Sequence, residues 1–312
     1  MKAPFKGTRA AFAQAIMDMA ETNDKVMFVS PDSLKAMRAT EFAEKHPDQY
    51  VEVGIAEQAA VDTAAGLASC GMIPFVATYA GFITMRACEQ VRTFVAYPEL
   101  NVKLYGVNAG LIGGEREGVT HQFYEDLGII SNIPGITILT PADPAQAYHA
   151  VKYAAEIQGP VYIRAGSGKE PEVYDFETPF NPEGVTFLKE YGKDTLVLSS
   201  GFVLDRVLAA ADALHEEGID VTVGDVNIQY MEEPKALLAA IAAAKRVVTV
   251  EDHNVNGGLA AYIRKLTAEH DPKLVKAIGL TTFGESGPAK ELADAYGFSP
   301  ECIAASVKEF IG

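Results

Sequence analysis

Cysteine is scarce in this chain. Cys70, Cys88 and Cys302 are the only three in 312 residues, and none stands in a Cys-x-x-Cys spacing. That excludes a disulfide scaffold and a clustered zinc site. Cys70 and Cys88 fall in apolar helical runs, where a thiol is expected to be buried. Positive charge is scarce as well. Lys and Arg total 26 against 42 Asp and Glu, for a net charge of −16. Nucleic acids and anionic membranes require a basic surface, so neither is expected as a partner. No apolar run reaches the length of a membrane span, and no signal peptide precedes Phe5. The chain therefore reads as cytoplasmic. It holds no internal repeat and no low-complexity tract.

What is present is a steady alternation of strand-like and helix-like segments, with 48% apolar and 22% charged residues. Length and pattern together predict two parallel-sheet α/β domains. Thr8 is expected to cap a helix over 9–21. Strands are expected at 26–30, 50–53, 73–77, 102–107, 136–139 and 161–164, with helices at 38–46, after Glu57, and over 80–96. Asp143-Pro144 starts a further helix: a capping side chain, then proline at the first helical position. Residues 167–184 are rich in Gly and Pro and lack apolar periodicity, which reads as a linker. The first domain is thus 1–166 and the second 185–312, with strands at 195–199, 221–223 and 247–250.

The polar features of the first domain fall where strands end. Gly54-Ile55-Ala56-Glu57-Gln58 follows one strand and opens an Ala-rich helix. Open α/β sheets gather binding groups at such junctions. By position alone, Glu57 also fits a first-turn glutamate favoured by the helix dipole. Tyr79 and Phe82 follow the next strand, three residues apart, and in isolation read as core residues rather than a cofactor platform. A glycine-rich loop, Gly110-Leu111-Ile112-Gly113-Gly114, then runs into Glu117-Gly118-Val119-Thr120-His121-Gln122. In a parallel sheet these loops share one edge, so a carboxylate, an aromatic pair and a histidine are expected in one cleft. Arg86 and Arg92 read as a solvated helix face, with an interface or channel role as the alternative. His253, in Glu251-Asp252-His253-Asn254 before Gly257-Gly258, fits either an interface or a capping turn.

Taken in order, Asp48-Gln49-Tyr50-Val51-Glu52-Val53-Gly54-Ile55-Ala56-Glu57-Gln58, Ile73-Pro74-Phe75, Tyr79, Phe82 and Gly118-Val119-Thr120-His121-Gln122 resemble the transketolase family. The resemblance covers nearly the whole chain. It corresponds to the pyrimidine-binding domain and the C-terminal domain of that family. Deoxyxylulose-phosphate synthases share the Gly-Ile-Ala-Glu-Gln run, and β subunits of 2-oxo acid dehydrogenases share it more loosely.

The resemblance implies thiamine diphosphate as cofactor. It makes Glu57 the carboxyl group that hydrogen-bonds the aminopyrimidine and promotes its imino tautomer. It makes Tyr79 and Phe82 the aromatic support of that ring, and His121 a catalytic contact to substrate oxygens. Arg9 and Arg164 match arginines that bind a substrate phosphate, a task that suits a guanidinium. Asp32 lies where the family lines its substrate channel. Glu117 replaces a usual aspartate at the donor hydroxyl, and the loop is about one residue longer. Ala36 stands where the family has a serine, and Asn108 or Ala109 where it has a further histidine.

One family motif is missing. Gly-Asp-Gly followed by asparagine, which holds the diphosphate and its metal, does not occur; Gly224-Asp225-Val226-Asn227 lacks the second glycine. The implication is a partner subunit carrying the diphosphate domain, with Mg2+ (or Ca2+) held mainly there, no metal site in this chain, and an α2β2 assembly. The expected activity is transfer of a two-carbon ketol unit between ketose and aldose, phosphorylated or not. Alternatives are a subunit of one of the related thiamine enzymes, or a partner-binding module that kept the fold without catalysis. Glu57, Tyr79, Phe82 and His121 standing together favour the enzyme.

Overall fold

The computed structural model describes residues 1–113, 117–168 and 170–312. The first unit runs α1 (Gly7–Ala20), β1 (Val26–Ser30), α2 (Thr40–Lys45), β2 (Tyr50–Glu52), α3 (Glu57–Ser69), β3 (Ile73–Tyr79). A π turn at Phe82–Arg86, a short α4 (Cys88–Gln90) and a second π turn at Val91–Ala96 follow. Then come β4 (Lys103–Val107), α5 (Asp126–Ile130), β5 (Thr137–Leu139), α6 (Pro144–Glu156) and β6 (Val161–Arg164). The second unit holds β7 (Thr186–Glu190), β8 (Thr195–Ser200), α7 (Leu204–Glu216), β9 (Thr222–Asp225), β10 (Ile228–Gln229), α8 (Lys235–Ala243), β11 (Arg246–Asn254), α9 (Leu259–His270), β12 (Val275–Leu280), α10 (Ala289–Ala295) and α11 (Pro300–Ile311).

Two α/β sheets result. The first has the order β10-β5-β6-β4-β3-β1-β2 and the second β12-β11-β8-β9-β7. All pairings are parallel except β10 on β5 and β7 on β9. Successive side chains of a strand face opposite layers. Accordingly Phe28 joins the core formed with α1 and α6, while Val29 joins the one formed with α3 and segment 82–96. Strands β1, β4 and β6 are buried throughout, as expected of central parallel strands. The antiparallel β7 and the two-residue β10 lie outside the sequence expectation.

Asp143 caps α6 as its sequence predicts, accepting from Gln146 N at 2.8 Å, with Pro144 in the first turn. Thr8 does not cap α1. It lies inside the helix, and its N–H is taken instead by Glu170 Oε2 at 2.8 Å. The cysteine expectation also changes: Cys70 is exposed at the C-terminal end of α3, and Cys88 is half-buried. Among the described residues no helix is long and apolar enough to cross a membrane.

The two units are stitched together. β10 leaves the second unit to pair with β5 of the first, Ile228 opposite Leu139. Thr140 adds to the seam, its N–H donating to Asn227 O and its hydroxyl to Val226 O, both at 2.8 Å.

Candidate active site

Because β1, β2, β3, β4 and β6 run parallel, their C-terminal ends share one edge. Asp32, Glu57, Tyr79, Asn108 and the loop beyond Arg164 leave from that edge. Asp32 and Asn108 both take left-handed backbone, with φ of 55° and 54°. Asn and Asp tolerate that region better than other side chains.

Glu57 is the first residue of α3, and only 5% of it is exposed. Its Oε1 accepts from Arg86 Nη1 at 2.6 Å. The same guanidinium lies 4.1 Å from the centroid of the Phe82 ring. Glu57 and Arg86 face an open cleft of about 490 Å³, with Ile55, Ala56, Gln58 and Asp62 among its walls. Arg86 is therefore more than a solvated residue of its helix. The π turn that ends at Arg86 adds a residue to the helical turn, a distortion that recurs at functional sites.

Tyr79, Phe82 and His121 form one ring cluster. Tyr79 and Phe82 centroids are 5.3 Å apart, and His121 lies 4.9 Å from Tyr79 and 5.4 Å from Phe82, all near edge-to-face. Phe123 extends the cluster, 5.6 Å from Phe82. Its ring occupies the space beside Gly81, where a Cβ would come within 2.0 Å of it. The His121 Nδ1 edge is hydrogen-bonded to Thr120 Oγ1 at 3.0 Å. Arg9 borders the cluster: its guanidinium is 5.8 Å from the Tyr79 centroid and donates to Asn108 Oδ1. It also approaches Ala36 O at 3.5 Å. The sequence thus brings Glu57, Tyr79, Phe82, His121 and Arg9 to one edge, with Phe82 and Arg86 linking the carboxylate to the rings.

The remaining expectations fare differently. Asp32 is exposed, and its backbone N–H donates to Glu52 Oε1 at 2.8 Å. Glu117 is exposed on the loop before Gly118. Arg164 is not available to a substrate phosphate. It is the last residue of β6, and its side chain turns into the seam between the units, 2% exposed. Its Nε donates to Asp126 Oδ2 at 3.0 Å and its Nη2 to Asp252 O at 2.8 Å. Tyr162 donates to the same Asp126 Oδ2 at 2.7 Å.

His253 completes this buried network. Its Nε2 accepts from Leu127 N at 3.1 Å, and Nδ1 donates to Asn254 O at 2.8 Å. That pattern requires the neutral ring. Burial pushes its pKa down from 6.5 to about 4, against the pull of Asp126. Glu251, two residues earlier, accepts from the N–H groups of Leu259 and Ala260 and so caps α9. Burial raises its carboxyl to about 8. The Glu251–Asn254 run therefore serves both the interface and the helix cap. Asp126 and Asp252 carry no sequence signal; only the packing of the two units reveals them. Asp225, in the incomplete Gly-Asp motif, is a buried acceptor of Tyr174 Oη at 2.7 Å. Among the described residues, no three His, Cys, Asp or Glu side chains gather as metal ligands.

This is a two-unit α/β chain with a carboxylate and an aromatic cluster at the C-terminal edge of the parallel strands of its first sheet. Residues 6–169 match the family model of the transketolase pyrimidine binding domain, and 184–303 that of the transketolase C-terminal domain. The chain belongs to the transketolase family. It is 31% identical over 316 residues to a putative transketolase C-terminal section of Methanocaldococcus jannaschii, covering 98% of this chain and 96% of that one. It is 35% identical over 278 residues to one of the subunits of the apulose-4-phosphate transketolase of Actinobacillus succinogenes, covering 88% and 89%. A solved structure described as a split gene transketolase, inactive beta4 tetramer, superposes with a TM-score of 0.86 at 34% identity, covering 98% of each chain.

Proposed function

We propose that this chain is one subunit of a two-subunit, thiamine-diphosphate-dependent transketolase that transfers a two-carbon ketol unit between sugar or sugar-phosphate substrates. The observation that carries the reading is the placement of Glu57. Its carboxylate is nearly buried yet faces an open cleft, with a planar guanidinium lying between it and the Phe82 ring. Arg86 there makes the two contacts that an aminopyrimidine would need: a hydrogen bond to the carboxylate and a face on an aromatic ring. The residues present therefore fit the pyrimidine end of the cofactor. When bound, thiamine diphosphate supplies the electron sink for carbon–carbon cleavage.

This chain's residues do the rest of the local work. Glu57 would hydrogen-bond a pyrimidine nitrogen and hold the proton there. Phe82 and Tyr79 support the ring, worth about 1 kcal/mol beyond area burial for an offset stack. His121, steadied by Thr120 on one nitrogen, offers its other nitrogen to a substrate oxygen. Arg9 stays close enough to Tyr79 to meet the far end of a substrate, although Asn108 and Ala36 already orient it.

Two facts support a partner subunit. The Gly-Asp-Gly motif of the diphosphate site is missing. Ile55, beside Glu57, and Met85, Phe94 and Tyr97 on segment 82–97 are large apolar residues left exposed, as expected of surface awaiting cover. The partner would carry the diphosphate site and its Mg2+ or Ca2+, in an α2β2 assembly in the cytoplasm. The test is reconstitution with a chain that carries Gly-Asp-Gly and the following asparagine, assayed for ketol transfer with thiamine diphosphate and Mg2+. Activity of the mixture, and of neither chain alone, is the expected result. Ketol transfer by this chain alone would overturn the two-subunit reading; a mixture inert toward every donor tried would overturn the activity.

A further inference from the structure

The loop that leaves β4 has the backbone of an anion receptor. Gly110 takes φ +85°, and the next two N–H groups, of Leu111 and Ile112, converge. Successive backbone donors after a left-handed residue form a nest that binds anions. In this chain the anion is built in. Asp252, on β11 of the second unit, places Oδ1 2.8 Å from Leu111 N and Oδ2 2.9 Å from Ile112 N. Asp252 is 0% exposed, and its backbone carbonyl accepts from Arg164 Nη2 at 2.8 Å. Gly110 is required on two counts. Its φ is strained for any other residue, and a Cβ would come within 2.2 Å of Asp252 Oδ2.

The nest is tied to the ring cluster by one hydrogen bond. Gly110 N donates to Phe123 O at 2.6 Å, which folds the loop back on itself. Phe123 packs on Phe82, and His121 sits two residues before it. The second unit grips this end too. Gln122 Nε2 donates to Glu285 O at 2.9 Å, Gly284 N donates to Tyr124 Oη at 2.9 Å, and Asn254 N donates to Tyr124 O at 2.8 Å. His121 is thus suspended between two anchors, both supplied by the second unit.

We infer that Asp252 is a positioning residue for the ketol-transfer site: as the internal anion of the Gly110–Ile112 nest, it lets the second unit fix the segment that holds His121 against Tyr79 and Phe82. The catalytic consequence rests on the transketolase reading; the nest itself does not.

The test uses the full chain with Asp252→Ala and Asp252→Asn, followed by backbone amide exchange. Loss of charge-assisted bonds should speed exchange at Leu111, Ile112 and residues 117–124 by about 10- to 100-fold, with β8 and β9 unchanged. Formate should restore protection to Asp252→Ala saturably, because it can enter the vacated nest; formamide, of the same shape without charge, should not. Unchanged exchange at Leu111 and Ile112, acceleration spread evenly over the chain, or equal effects of formate and formamide would each overturn the inference. If Asp252→Ala does not fold, Asp252→Asn decides. It keeps one acceptor but turns an N–H group toward a donor, so intermediate, localised acceleration is expected and wild-type exchange refutes. In the reconstituted complex, Asp252→Asn should lower kcat with assembly intact, and formate should raise the kcat of Asp252→Ala. A wild-type complex without ketol transfer would sink the functional reading while leaving the exchange result to judge the nest.

Discussion

Arg86 holds Glu57 with Nη1 2.6 Å from Oε1, and the guanidinium that does so lies over the Phe82 ring. One cation therefore fills the gap between the carboxylate and the aromatic support. For a pyrimidine to take that gap, Arg86 must withdraw. Its ion pair and cation–π contact, both at a half-exposed side chain, contribute on the order of 1 kcal/mol together. Arg86→Met is therefore expected to tighten binding of thiamine diphosphate to the assembled complex by roughly fivefold. Calorimetric titration measures it. Weaker binding would mean that Arg86 holds Glu57 for the cofactor rather than competing with it.

Glu57→Gln keeps the size of the side chain and one acceptor but cannot hold the proton of the pyrimidine. Turnover of the complex should fall by about 10²- to 10⁴-fold, with assembly and thermal unfolding close to wild type. Steady-state kinetics beside a melting curve checks both. An unchanged kcat would remove Glu57 from the chemistry.

Arg164 is predicted to act on stability. Its guanidinium neutralises buried Asp126, so Arg164→Leu leaves a carboxylate unpaired in the seam. Removing one partner of a buried pair costs about 3–5 kcal/mol, and denaturant titration should show a loss of that size. A variant of wild-type stability with a raised KM for phosphorylated sugars would return Arg164 to the substrate.

His253 sets an acid limb on stability. In the fold its pKa lies near 4 instead of 6.5, because burial disfavours the imidazolium. Above pH 6.5 the ring is neutral in both states and has no effect. As pH falls from 6.5 to 4 the unfolded chain takes up a proton that the folded chain refuses, so stability drops, by about 3 kcal/mol in total. Below 4 the loss is complete. Glu251, raised to about 8, acts in the opposite sense. It binds its proton more readily in the fold, and its contribution fades as pH rises from 4.5 to 8. The contribution of His253 is therefore read by difference: His253→Gln should unfold with a shallower acid limb than wild type between pH 6.5 and 4. Parallel limbs would refute the assignment.

Much of this architecture is legible in the residues alone. The buried strands β1, β4 and β6 announce themselves as apolar runs, and Asp143-Pro144 announces α6, because those signals are local. Glu57, Tyr79, Phe82 and His121 can be grouped because a parallel sheet sends all its strand ends to one edge. Arg164 misleads because its residue type suits a phosphate as well as a buried carboxylate; only the Asp126 side chain, 38 residues away, separates the two. Asp252 is invisible for the same reason, since its partners Leu111 and Ile112 lie in the other unit, some 140 residues earlier. Strand β10 is too short to carry a period, and its pairing with β5 is set by the docking of the units.

That last pairing bears on how the chain could be divided. With Ile228 and Gln229 removed, β5 would be left as a bare sheet edge, the kind of surface that recruits foreign strands. A gene break in the glycine- and proline-rich stretch near residue 175 would look harmless on paper, yet each product would carry an open wound from the other. Expressed separately, the halves should aggregate; expressed together, they should find each other and mend the sheet. The seam is thus a constraint on inheritance as much as a contact: a first unit moved without its partner would leave β5 with an unpaired edge.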